Sequence, residues 1–138
     1  MAYLMQSDNV LECDAEQALD LYFRMCSISV TTEDLARYAM LLANDGINPA
    51  TGERLVESRH VRVVKTLMVT CGMYDYSGEY AATVGMPSKS GVGGGIIAAP
   101  IGKCGIAAYG PALDEKGNSV GGLKIMEFLS EKMDLHMF

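Results

Sequence analysis

The sequence has no cluster of lysine and arginine. Its 11 basic residues are scattered among 17 acidic ones, leaving a formal charge of −6. Phosphate backbones repel an acidic chain, which argues against nucleic acid and anionic membrane surfaces as partners. Histidine is scarce: only His60 and His136 occur, and there is neither a Cys-x-x-Cys nor a His-Glu-x-x-His. A metal site is therefore not expected. The four cysteines, Cys13, Cys26, Cys71 and Cys104, are irregularly spaced. Single buried thiols in a reducing cytoplasm fit that spacing better than a disulfide framework or a metal site. Long hydrophobic runs are missing too. The longest uncharged stretch after Lys89, Ser90 to Gly102, holds five glycines and Pro100, so it is too short and too easily broken to span a bilayer. The opening MAYLMQSD has no basic segment and no apolar core of an export signal. A cytoplasmic protein is expected.

What is present is ordinary globular chemistry. The chain has 138 residues, 49% apolar and 20% charged, enough for a single domain with its own core. Helical patterning dominates the region from about 14 to 71. Asp14 with Gln17 reads as an N-cap pair, and Ala15, Ala18, Leu19, Tyr22, Phe23 and Cys26 recur on one helical face. Thr31 with Asp34 opens a second helix that Asn44-Asp45-Gly46 stops. Ser58 is placed to cap a third, with Val61, Val64, Met68 and Cys71 on one side and Gly72 at its end. Strand-like segments follow over about 79 to 110: Glu79–Met86, Val92–Ala99 and Ile106–Tyr109, separated by Pro87, Pro100 and Gly110-Pro111. Ser119 starts a last helix over about 119 to 133 with Leu123, Met126, Leu129 and Met133 on one stripe. The expected fold is α+β, an antiparallel sheet packed with helices. Three strands make a thin sheet for so much apolar sequence, so further strands are expected from sequence outside this chain.

Chemistry concentrates between Cys71 and Gly95. Gly91, Gly93, Gly94 and Gly95 would expose backbone N–H groups to a ligand oxygen, or else mark a bend or a crowded helix crossing. Nucleotide patterns fail there. The only Gly-Lys, at Gly102-Lys103, has Ile97 where a phosphate-binding loop needs glycine and Cys104 where it needs a hydroxyl. A dinucleotide pattern starting at Gly91 meets Ile96 at its third glycine. Lys89 reads as a solvated edge charge or as a cation favouring the anion of a neighbouring hydroxyl. Tyr74 is the candidate for that hydroxyl, because a phenol needs such a neighbour before it accepts a proton near neutrality.

Several blocks carry a family resemblance. They are Leu19-Asp20-Leu21-Tyr22-Phe23 with Cys26-Ser27, Leu42-Ala43-Asn44-Asp45-Gly46, Thr70-Cys71-Gly72-Met73-Tyr74, Gly85 to Ile96, and Pro111 to Ser119. In order and spacing, over nearly the whole chain, they resemble the glutaminases of the serine β-lactamase and transpeptidase-like superfamily. The resemblance implies hydrolysis of L-glutamine to L-glutamate and ammonia through a serine acyl-enzyme, with no metal or organic cofactor. It implies that Tyr22 contacts bound glutamine and that Tyr74 shuttles the proton of the nucleophile and touches substrate. It gives the Val92 N–H an oxyanion-hole role and puts Lys89-Ser90-Gly91 in the place of the superfamily's Lys-Thr/Ser-Gly strand. The parent enzyme is expected to be a dimer or tetramer.

One departure stands out. No Ser-x-x-Lys or Thr-x-x-Lys occurs anywhere, although the family's nucleophile lies in that motif, far upstream. Ala2-Tyr3-Leu4-Met5 resembles the segment just after a substrate-binding asparagine of the family. The chain is thus expected to be the C-terminal part of a glutaminase, incomplete at its N-terminus, with one wall of the pocket and no attacking hydroxyl. Two other readings remain: a non-catalytic ligand-binding or assembly module on the same scaffold, and a β-lactamase or transpeptidase relative. The Cys-Gly-Met-Tyr and Gly-Asn-Ser blocks do not belong to the last.

Overall fold

The computed structural model describes residues 1–138. The chain forms two compact units, Met1–Val30 and Thr31–Phe138. The first contains two helices, α1 (Ala2–Ser7) and α2 (Ala15–Cys26). Helix α1 is not foreshadowed by the sequence pattern. The cysteines expected to be buried are not: Cys13, Cys26 and Cys71 are exposed and Cys104 is half-buried. Asp14 caps α2 by accepting from the N–H groups of Glu16 and Gln17, which satisfies two of the helix's orphan donors. Only Ala15 of α2 is buried, so the apolar face read from its periodicity stands uncovered in this chain.

The second unit holds α3 (Thr32–Ala43), α4 (Ser58–Cys71), a 3-10 turn (Tyr74–Tyr76), α5 (Ser77–Thr83), β1 (Ser88–Ser90), β2 (Gly95–Ala98), β3 (Ile106–Tyr109) and α6 (Val120–Lys132). This is the expected α+β class. Thr31 and Asp34 form a full capping box at α3. Ser58 does not cap α4: its hydroxyl donates instead to Asp45 Oδ1, 2.8 Å away. That bond, with help from Arg54, holds the Asp45 carboxyl below its ordinary range.

The three strands are antiparallel in the order β1-β2-β3, with Ser88 opposite Ala98, and Ile96 opposite Ala108. Residues two apart in a strand share a face. Ile96, Ala98 and Ala108 join Met73, Tyr80, Val84, Met86 and Met126 in one core. Ile97 packs on the second, built from Leu42, Ala43, Val61, Met68 and Ala99. The sheet thus lies between α5 and α6 on one side and α3 and α4 on the other.

One expected strand is overturned. Residues 79–86 are not extended; Ser77–Thr83 is α5. Ser77, Tyr80 and Val84 are buried while Ala82 is exposed. These three- and four-residue steps are those of a helix, whereas an alternating strand would bury Ala82 together with Tyr80 and Val84. The first strand is Ser88–Ser90 instead, and the second begins at Gly95 rather than Val92, since residues 91–94 form its turn.

Candidate active site

The start of β1 and the end of α4 meet at Gly72. A side chain there would run into the Ser88 and Met68 carbonyls, so only glycine lets the helix end this close to the strand. The Gly72 carbonyl accepts from Ser90 N–H at 2.9 Å and from Lys89 Nζ at 3.3 Å. The Lys89 ammonium also donates to its neighbouring Ser90 carbonyl. In register Lys89 stands opposite Ile97. Its side chain lines a cleft of about 310 Å³ shared with Tyr38, Val64, Leu67, Cys71 and Ile97.

Immediately after Gly72 the chain turns sharply. Tyr74 has φ +55°, a region that costs a non-glycine residue about 1–2 kcal/mol. Such strain persists only where surrounding bonds over-determine it, and it gathers at functional sites. The Tyr74 ring lies under Lys89, with Nζ 4.5 Å from its centroid. The lysine thus addresses the ring face, a cation–π placement, rather than bonding the hydroxyl.

Val92 sits at the tip of the β1–β2 turn. The turn is closed by Gly91 N–H to the Gly95 carbonyl and Gly94 N–H to the Gly91 carbonyl, both 2.9 Å. The Val92 amide donates to no backbone carbonyl of the chain. Gly117, in the loop before α6, joins these parts. A Cβ built there would lie 3.7 Å from both Tyr74 Cε2 and Val92 Cγ1. Tyr74, Lys89 and Val92 therefore surround one small region at the sheet edge.

Tyr22 belongs to the other unit and is placed within it. On α2 it is 56% exposed, packs tilted against Phe23 with centroids 6.0 Å apart, and borders a cleft of about 450 Å³ with Met1, Met5 and Leu11. A hydrogen bond with Cys26, one turn on, raises its phenol above the ordinary range.

Two supporting groups were not singled out from the sequence. Ser77 Oγ accepts from Met73 N–H at 3.0 Å and donates to the Tyr74 carbonyl at 2.7 Å. Asn118, fully buried, donates from Nδ2 to the Met73 carbonyl at 3.3 Å. Its Oδ1 accepts from no group of the chain. Ser77, four residues from Met73, was within reach of local pattern reading. Asn118, forty-five residues away, was visible only as part of the Gly-Asn-Ser block. No group of three histidine, cysteine or acidic side chains is positioned to hold a metal ion.

A lysine-bearing edge strand, a strained tyrosine and an unbonded turn amide are carried together on a three-stranded antiparallel sheet between helices, the α+β arrangement of the glutaminase and β-lactamase-like fold. The sequence profile of the glutaminase family matches residues 1–138, and the chain belongs to that family. It is 54% identical over 138 residues to glutaminases of Clostridium tetani (strain Massachusetts / E88) and Clostridium botulinum (strain Loch Maree / Type A3), covering all of this chain and 45% of each relative. The chain thus spans less than half the length of these curated relatives. Among solved structures it is similar to the Bacillus subtilis glutaminase YbgJ in covalent complex with 5-oxo-L-norleucine. There the TM-score is 0.93 at 42% identity, over 99% of this chain and 49% of that one. It is equally similar to Mglu in its tris and glutamate form, with a TM-score of 0.94 at 42% identity, over 99% of this chain and 30% of that one.

Proposed function

We propose that this chain is the C-terminal portion of a cytoplasmic, oligomeric glutaminase, and that it supplies one wall of the pocket in which L-glutamine is hydrolysed to L-glutamate and ammonia. The observation that carries the reading is the placing of Tyr74 between Lys89, over its ring, and Val92, which it faces across Gly117, with strain stored at the tyrosine. The Bacillus relative forms a covalent complex by reaction with 6-diazo-5-oxo-L-norleucine, which supports covalent catalysis in the family. No Ser-x-x-Lys exists in these 138 residues, so the attacking serine comes from sequence upstream.

In this mechanism the serine oxygen adds to the side-chain amide carbon while its proton passes through Tyr74 Oη to the departing nitrogen. The C–N bond breaks, ammonia leaves, and the acyl-enzyme remains. Water then adds to the ester carbon, gives its proton back along the same path, and releases glutamate and the serine hydroxyl. The Val92 N–H donates to the oxygen that becomes negative in both additions. Lys89, over the ring face, favours the transient phenolate by its positive charge. Tyr22 contacts the bound amino acid.

The test is ammonia release. The 138-residue chain alone is expected to release none from L-glutamine, and joining it to the upstream portion of a clostridial glutaminase is expected to restore release. Turnover by the chain alone would overturn the reading. Failure of a folded, joined protein to turn over would favour the non-catalytic module, which the missing nucleophile also permits.

A further inference from the structure

We propose that Asn118 is a positioning residue for Tyr74, acting through the carbonyl of Met73. The inference rests on the reading that Tyr74 moves a proton, and the test below separates the two. Four non-glycine residues have left-handed φ: Asn9, Asp45, Asp134 and Tyr74. Asparagine and aspartate tolerate that region because their short polar side chains bond locally. Tyrosine has no such help, so its conformation must be imposed from outside.

The peptide between Met73 and Tyr74 is the plane against which the Tyr74 φ is set. Its carbonyl is anchored by Asn118 Nδ2 at 3.3 Å, while Ser77 Oγ ties the flanking Met73 N–H and Tyr74 carbonyl. Ser77 therefore fixes the ends of the turn and Asn118 fixes its middle. Asn118 is itself held: its N–H donates to Asp114 Oδ1 at 2.8 Å, and the Lys116 N–H reaches the same oxygen at 3.0 Å. Gly117, at φ +88°, brings this loop against the Tyr74 ring and the Val92 side chain together.

The donor end of the Asn118 amide is spent on the one carbonyl that orients Tyr74. Leucine of similar size offers no donor, and serine is too short to reach.

The 138-residue chain tests this by NMR, with the lysine ε-carbons labelled and Lys89 assigned through Lys89→Arg. Because Nζ lies over the Tyr74 ring, the Lys89 ε-protons are shifted upfield by the ring current, and Asn118 does not touch Lys89. In Asn118→Leu that upfield shift is expected to collapse toward the other lysines, while the amide signals of β2 and α6 stay in place. If the leucine variant does not fold, Asn118→Ser, which keeps the loop's backbone bonds, carries the same reading. An unchanged Lys89 shift in the folded variant overturns the proposal. In the joined enzyme, kcat is expected to fall about 10²-fold with KM held. A collapsed shift with kcat unchanged means that Asn118 does place Tyr74, and that the proton-transfer role of Tyr74 fails.

Discussion

Tyr74 combines a strained backbone with a side chain that adds little to packing: it is 38% exposed, and its hydroxyl bonds to nothing in the chain. Backbone strain of this kind clusters at functional sites, which is the ground for proposing that the Tyr74 hydroxyl acts in the pocket. Tyr74→Phe should accordingly leave the urea midpoint of the 138-residue chain unchanged. In the joined enzyme the same substitution should lower kcat by about 10²–10⁴-fold, the usual range for losing a positioned acid–base group. An unchanged rate of ammonia release removes Tyr74 from the mechanism. Gly117→Ala tests the opposite balance. The added methyl meets Tyr74 and Val92 at ordinary contact distance, so the penalty comes from φ +88° and should be about 1–2 kcal/mol in chemical unfolding. The residues themselves single out Tyr74 and Lys89, and the family resemblance adds Val92. Neither shows the left-handed φ, because that is imposed by Asn118 from a distant loop.

At the scale of elements, α3 and α5 show what patterning reveals and what it leaves out. Thr31 with Asp34 reads as a helix start, and the reciprocal bonds are present. They hold the Asp34 carboxyl below its ordinary range, chiefly through the Thr31 backbone N–H. Ionised Asp34 is therefore favoured by folding, so its stabilisation is full above the unfolded carboxyl pKa and disappears as pH falls through the lower folded value. Thr31→Ala should cost about 1 kcal/mol and flatten the acid limb of an unfolding titration only in part, since the residue-31 N–H remains to hold the carboxylate. Asp34→Asn should remove the Asp34 component of that limb. The segment 79–86 misleads because its apolar residues are few enough to fit a loose alternation. Only the exposure of Ala82 between the buried Tyr80 and Val84 shows that helical steps govern. Burial of Tyr80 pushes its phenol up to about 12, although its hydroxyl pairs with Ser88 Oγ at 2.8 Å. The unfolded phenol ionises first, near pH 10, so stability is full below that pH and falls as pH rises to the folded value. The loss should be about 2–3 kcal/mol across that window. Urea unfolding between pH 9 and 12 measures it, and Tyr80→Phe should remove this component of the slope.

Across the whole molecule, the two units differ in how much apolar surface they hide. Thr31–Phe138 has two cores, one on each face of its sheet. In Met1–Val30, thirty residues long, eleven large hydrophobic side chains are exposed, among them Leu21, Tyr22, Phe23 and Met25. Periodicity correctly groups the apolar residues of α2, but it says which side chains share a face and not what covers that face. Helices this short are marginal in water without tertiary packing, and in α1 and α2 only Ala15 is buried. Hydrogen exchange should therefore divide the chain near Val30. Amides of α1 and α2 should exchange close to their intrinsic rates, while those of α4, β2 and α6 open only with global unfolding. When the chain is joined to the upstream portion of a clostridial glutaminase, α2 should become protected, because the uncovered face then has apolar surface to bury against. Protection of α2 in the 138-residue chain equal to that of β2 would mean that the exposed face needs no partner, and would count against the C-terminal-portion reading.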